Sequence, residues 1–259
     1  MIYKAAMLTD TGLVRSHNED SVFIFDSSQQ TEPVPISYGL YIVADGMGGH
    51  QAGEVASQKA IQIIKSRLLE NVDYILNTDI NAQIREAFEK ANSEIYHASQ
   101  TSPLLSGMGT TATLGLRSSD RLYIGHVGDS RAYLIRSGEI IRITRDHSLV
   151  ESLITSGVIT KEEARVHPDR NVITRALGTS INIMVDSYKD YTGKDSILLN
   201  SNDRIVFCTD GLTNEANEDE ILEIIQQVPD VSIACQNLVE VANNRGGNDN
   251  ITVIVVQSL

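Results

Sequence analysis

The chain has 259 residues, 41% hydrophobic and 21% charged, a globular composition that excludes a disordered chain. Its 21 basic and 34 acidic residues leave a net charge of −13, which argues against nucleic-acid binding because phosphate backbones would be repelled. Apolar runs stay short of the roughly 18 residues of a membrane helix, and Met1-Ile2-Tyr3-Lys4 lacks a signal-peptide layout, so a soluble cytoplasmic protein without a membrane partner is expected.

Short runs rich in Val, Ile and Tyr, bounded by Gly, Asp or Ser, read as strands. The first are residues 5–9, 21–25 and 40–44, followed by helical periodicity over 53–69 and 80–99. Strands at 110–116, 121–127, 132–136 and 139–143 come next, the last two joined by Arg136-Ser137-Gly138-Glu139 as a hairpin. Residues 146–177 hold short helical pieces, Gly157 and His167-Pro168; they read as a small mobile insertion or as an ordinary pair of surface helices. Strands at 181–191 and 204–209, helices at 219–227 and 232–244, and a strand at 250–256 complete the chain. Helices thus come in couples between groups of strands. That is not the alternation of a doubly wound parallel sheet, and it predicts an α+β domain with helix pairs on its sheet faces. Cys208 falls in a buried strand and Cys235 in an amphipathic helix, so no disulfide framework is indicated.

Carboxylates recur at the ends of apolar strands. Tyr41-Ile42-Val43-Ala44 ends in Asp45-Gly46, Ile205 to Thr209 ends in Asp210-Gly211, and Ile124 to Gly128 ends in Asp129-Ser130. Asn248-Asp249-Asn250 and Asn18-Glu19-Asp20 each precede a strand. Convergence of such tips would set negative charges side by side, which is tolerable if cations sit between them. Oxygen-only donors favour Mg²⁺ or Mn²⁺, and no Cys/His spacing for structural zinc is present. Taken singly, a strand followed by Asp-Gly is commonly just a turn.

Asp45-Gly46-Met47-Gly48-Gly49-His50 leads into a helix but lacks the Lys-Ser/Thr of a phosphate-binding Walker loop. His50 reads as a general acid, a metal ligand or a surface residue, and Arg15 as a phosphate-holding fork or a surface arginine. A cysteine phosphatase needs Arg six positions after its Cys, where this chain has Asn214 and Val241. Asp-x-Asp, Arg-His-Gly and Gly-x-Ser-x-Gly are all missing. If the protein is a hydrolase, an activated water is the favoured nucleophile.

Six segments, in order along nearly the whole chain, resemble the PPM family, the type 2C metal-dependent serine/threonine protein phosphatases, in compact bacterial form. They are Arg15-Ser16-His17-Asn18-Glu19-Asp20, Val43-Ala44-Asp45-Gly46-Met47-Gly48-Gly49-His50, Met108-Gly109-Thr110-Thr111-Ala112, and His126-Val127-Gly128-Asp129-Ser130-Arg131. Cys208-Thr209-Asp210-Gly211-Leu212 and Gly247-Asn248-Asp249-Asn250-Ile251-Thr252-Val253 complete the set.

The resemblance implies one catalytic domain over residues 1–259, an α-β-β-α sandwich of two packed antiparallel sheets flanked by helix pairs, with 146–177 as a flap. It implies hydrolysis of phosphoserine and phosphothreonine on proteins by a water or hydroxide bridging two divalent cations, Mn²⁺ or Mg²⁺. By this resemblance Asp45 bridges both ions, Asp210 and Asp249 bind the first, and the Gly46 carbonyl binds the second. Asp129 with Asp210 matches a third, weaker site, and Glu19 and Asp20 an outer shell. Arg15 matches the family's phosphate-binding arginine and His50 its proposed general acid. The expected partners are phosphorylated proteins, with the chain a monomer opposing a serine/threonine kinase. The competing readings are an inactive phosphoprotein-binding or regulatory relative and a hydrolase of small phosphoesters.

Overall fold

The computed structural model describes the chain except for Met1 and residues 30–36, 49–51 and 190–192. Among the described residues, β1 (Tyr3–Asp10), β2 (Asp20–Asp26) and β3 (Tyr38–Met47) lead into α1 (Ala52–Leu69), α2 (Val72–Leu76) and α3 (Ile80–Thr101). Strands β4 (Gly109–Thr110), β5 (Ala112–Ser118), β6 (Arg121–Val127), β7 (Arg131–Arg136) and β8 (Glu139–Arg142) follow. Next come α4 (Leu149–Thr155), α5 (Lys161–Arg165), β9 (Asp186–Ser187), β10 (Ile197–Leu198) and β11 (Arg204–Cys208). Helices α6 (Asp210–Thr213), α7 (Glu218–Gln227) and α8 (Val231–Asn244) precede the last strand, β12 (Ile251–Ser258).

The strands pair antiparallel in two sheets. One runs β1-β12-β11-β7-β8; the other runs β10-β6-β5-β3-β2, with β4 on β3 and β9 on β6. Central strands are covered on both faces, so their alternating side chains feed two different cores. In β3, Leu40, Ile42 and Ala44 pack with α1 and α3, while Tyr41 and Val43 face the other sheet. In β11, Val206 and Cys208 pack with Ile221 of α7 and Leu238 of α8, while Ile205 and Phe207 lie between the sheets. Tyr41 and Phe207 stack across that middle layer with ring centroids 6.1 Å apart. On α1, Ala56, Ala60, Ile64 and Leu68 recur every fourth residue and form the buried stripe. The result is an α-β-β-α sandwich, the architecture that the resemblance implies and with which the paired helices of the sequence agree.

Local geometry refines the sequence reading. Ser137 (φ 53°) and Gly138 (φ 87°) close the β7–β8 hairpin with both central residues left-handed, the twist such two-residue loops require. The strand expected over 181–191 is only Asp186–Ser187, with residues 190 and 191 outside the described part. The edge of β6 offers it just Gly125 and His126, and Ile181 and Met184 are exposed, so the apolar pattern there has no sheet to join. Residues 146–177 form two short helices on a backbone neck, with bridges Ser148–Ile173 and Thr110–Leu177. Among the described residues no helix is long and apolar enough to cross a membrane.

Candidate active site

Antiparallel pairing brings strand starts and strand ends to the same edge. Asp20 opens β2 and stands opposite Asp45 of β3 in register. Asp129 follows β6, Asp210 follows β11 and Asp249 comes just before β12. The two Asp-Gly steps are not turns. Gly46 continues β3 and pairs with Thr110, Gly211 lies in α6, and neither has a positive φ. A Cβ on Gly46 would stand 2.1 Å from the Gly53 carbonyl oxygen, and one on Gly211 2.0 Å from that of Asn250. Each glycine lets a neighbouring backbone close in behind the aspartate before it.

A hydroxyl and amide network holds these carboxylates. The Asp45 backbone N–H donates to Thr111 Oγ1 (2.9 Å), and its carbonyl accepts from the Thr111 N–H (2.9 Å) and Thr110 Oγ1 (2.8 Å). Thr209 Oγ1 donates to Asp20 Oδ2 at 2.8 Å, and Asn214 Nδ2 to Asp210 Oδ2 at 3.0 Å. Asn250, 6% exposed, accepts from the Glu19 N–H (2.8 Å) and donates to the carbonyls of Thr11 and His17 (both 2.9 Å). It thereby ties the β1–β2 loop, with Arg15 and Glu19, to the start of β12. In the sequence Asn250, Thr209 and Thr111 stand out only as members of motif segments, with no role of their own. A polar residue just outside each apolar run was the available signal.

The electrostatics are those of crowded anions. Burial first, then the charges of Asp20, Asp210, Asp129 and Asp249, hold the Asp45 carboxyl well above the usual range. Burial pushes Asp20 up to about 8 against hydrogen bonds from Thr252 and Thr209, with Asp210 and Asp249 adding to the rise. Asp210 is raised by burial and by Asp249, and Asp129 by burial, Asp210 and Asp146. Asp20 Oδ1, Asp129 Oδ1 and Asp210 Oδ1 are buried without a hydrogen-bond partner. Buried carboxylate oxygens left unpaired are costly unless protonated or bound to a cation. Among the described residues no three acidic, imidazole or thiol groups already form a closed ligand cage. The fit to hard cations rests instead on the orphaned oxygens, the oxygen-only donor set and the shared repulsion.

The structure gathers Asp20, Asp45, Asp129, Asp210 and Asp249 into one field and sets Arg15 against Asp249 at 2.8 Å. Glu19 borders the cluster, raised by burial and opposed by Arg15. A Cβ on Gly53 would meet its Oε2 at 2.6 Å. His50 lies outside the described residues.

The model of the family Protein phosphatase 2C matches residues 5–153, more than half of the chain. This chain belongs to the protein phosphatase 2C family. It is 35% identical over 253 residues to the serine/threonine phosphatase stp of Listeria monocytogenes, covering 98% of this chain and 95% of that one. The fold superposes on the crystal structure of the Mycobacterium tuberculosis serine/threonine phosphatase PstP/Ppp with a TM-score of 0.84 and 37% identity, over 100% of this chain and 99% of that one. A second structure, the catalytic domain of the serine/threonine protein phosphatase PstP in complex with two manganese ions, matches with a TM-score of 0.80 and 35% identity, over 99% and 98% of the two chains. The resemblance carried by the six motifs and the one found along the whole chain are therefore the same, and the chain is a 2C-type phosphatase.

Proposed function

We propose that this chain hydrolyses phosphoserine and phosphothreonine in proteins with Mn²⁺ or Mg²⁺ held by Asp45, Asp210 and Asp249. The observation that carries the assignment is the buried, mutually repelling carboxylate set, in which Asp20, Asp129 and Asp210 each keep an oxygen without a partner. The manganese-bound PstP relative supports the same choice of ion. In this reading Asp45 would serve two cations, Asp210 and Asp249 the first of them and the Gly46 carbonyl the second. Asp129 and Asp210 would hold a third, weaker one, with Glu19 and Asp20 as the outer shell. Bound in such a pair, divalent cations supply an activated water and neutralise charge on phosphoryl oxygens.

The chain's own groups do the rest. The planar fork of Arg15 grips the phosphate through paired hydrogen bonds. Asn250 fixes the loop that carries it, and orientation is most of what phosphoryl transfer asks of a protein. His50 is the candidate proton donor to the departing serine or threonine oxygen. Residues 1–259 act as one catalytic domain with 146–177 as its flap. By family analogy the chain is a cytoplasmic monomer that opposes a serine/threonine kinase.

Hydrolysis of a phosphothreonine peptide tests this reading. EDTA should stop it and Mn²⁺ restore it; turnover that survives thorough chelation overturns the cation assignment, and none with Mn²⁺ overturns the phosphatase assignment.

A further inference from the structure

Residues 146–177, α6 and α7 enclose a cleft of about 500 Å³ that reaches the reaction centre, since Asp129 and Asp210 line it. Its flap wall carries Lys161, Arg165 and Arg170. Helix α5 is short but locally fixed. Thr160 and Glu163 form a reciprocal capping box, and Ala164 is buried. Lys161 and Arg165, four residues apart, share one face of the helix, and Ala164 lines the cleft with them.

These three cations differ from the others in the cleft. Arg131 and Arg142 both pair with Asp146, Arg142 and Arg145 with Glu151, and Arg245 with Glu220. Lys161, Arg165 and Arg170 are exposed and enter none of the ion pairs among the described residues. Arg165 acts on Glu220 only at a distance, behind the hydrogen bonds Glu220 makes with Arg245 and the Asn217 backbone. On the facing wall Glu215 already accepts from Asn248 Nδ2, which leaves Glu218 as the acidic side chain there without an ion pair or hydrogen bond. With Asp129 and Asp210 given to cations, the cleft is net basic in a chain of net charge −13. Self-repulsion of the molecule's acid would otherwise turn away an acidic partner, so free cations beside the reaction centre select for one.

We propose that this cleft is a subsite for anionic groups flanking the phosphorylated residue of the substrate, either side-chain carboxylates or a second phosphate. The proposal rests on the phosphatase reading and deepens it by naming the substrate class. Lys161, Arg165 and Arg170 set specificity and touch no reacting atom.

The test uses the full chain with Mn²⁺ and phosphothreonine peptides that differ only in their flanks. Glu residues stand before the phosphothreonine, after it or on neither side, one peptide carries Lys, and one carries a second phosphothreonine. At low salt one anionic flank should raise kcat/KM about tenfold over the neutral peptide, the scale of a few exposed charge pairs acting together. Added NaCl should erode the advantage. In a Lys161→Gln/Arg165→Gln/Arg170→Gln variant the anionic-to-neutral ratio should fall to near one, and Arg165→Gln alone should lower it in part. Circular dichroism melts identify any variant that fails to fold. The Glu and double-phosphate arms tell carboxylate from phosphate recognition. A wild-type ratio near one, a preference for Lys, or a ratio that survives the triple substitution overturns the proposal. Fluorescence anisotropy of the same peptides reads the cleft without turnover. No hydrolysis of any peptide is thus the failure of the phosphatase reading, and no flank preference in binding the failure of this one.

Discussion

The Arg15 guanidinium donates to Asp249 Oδ2 at 2.8 Å, joining the residue assigned to the phosphate with a residue assigned to a cation. Both side chains are partly exposed, 53% and 31%, so the pair is a weak, solvent-screened contact that a phosphate can take over. Replacing Arg15 by Ala should raise KM for a phosphopeptide by about tenfold or more, as expected when a charge-assisted fork is lost. Arg15→Lys should recover little of it, because a point charge lacks the planar fork. Steady-state kinetics check this, and an unchanged KM in Arg15→Ala removes the residue from the phosphate site.

Asp45 sits where the charges of four other aspartates meet. Asp45→Asn should cut phosphopeptide turnover by at least about 10²-fold, since it would take away the ligand proposed to serve both cations. Because cations bind the folded chain, Mn²⁺ at about a hundred times its Kd should stabilise the wild type by roughly 2.7 kcal/mol. The variant should lose most of that shift. Thermal melts with EDTA and with Mn²⁺ measure it independently of activity, and an equal Mn²⁺ shift in both proteins counts against the ligand role.

Asn250 makes three hydrogen bonds across the loop that bears Arg15 and Glu19. Asn250→Ala leaves the Glu19 N–H and the Thr11 and His17 carbonyls without that partner, at a cost of about 1–3 kcal/mol. The expected signature is a lower urea midpoint together with a raised KM, because the loop is both a structural tie and the carrier of Arg15, the group proposed to bind the phosphate. A lower midpoint with unchanged KM would restrict Asn250 to stability.

His126 is 1% exposed, bonded to Thr113 Oγ1 at 2.8 Å and to the Arg145 carbonyl at 3.0 Å. Burial, and then the neighbouring His147, push it down to about 4. The unfolded chain therefore takes up a proton near pH 6.5 that the folded chain refuses until about pH 4. Stability attributable to neutral His126 is present above pH 6.5 and drains away as pH falls through that window. Urea unfolding of wild type and His126→Gln at pH 7, 6, 5 and 4 should show their difference in stability shrinking toward the acid end. A constant difference refutes the assignment.

Much of this protein is legible in one dimension. The continuous apolar runs of β3, β11 and β12 and the four-residue stripe of α1 are written in the order of side chains, because a strand covered on both faces needs apolar residues at every position and a helix buries one face at its own period. So are the motifs that mark the 2C phosphatase family. Which carboxylates share one field was settled only by the tertiary structure. Asp20 faces Asp45 through strand pairing, and Asp249 reaches Asp210 from 39 positions further along the chain. The same is true of the Asp-Gly steps, which look like turns in sequence and prove to be sites of close backbone approach. It is true again of Lys161, Arg165 and Arg170, three ordinary surface residues until the fold sets them on one cleft with Asp129 and Asp210. Periodicity records what each residue does along its own segment, whereas a site is made by packing between segments, and no local pattern carries that distance.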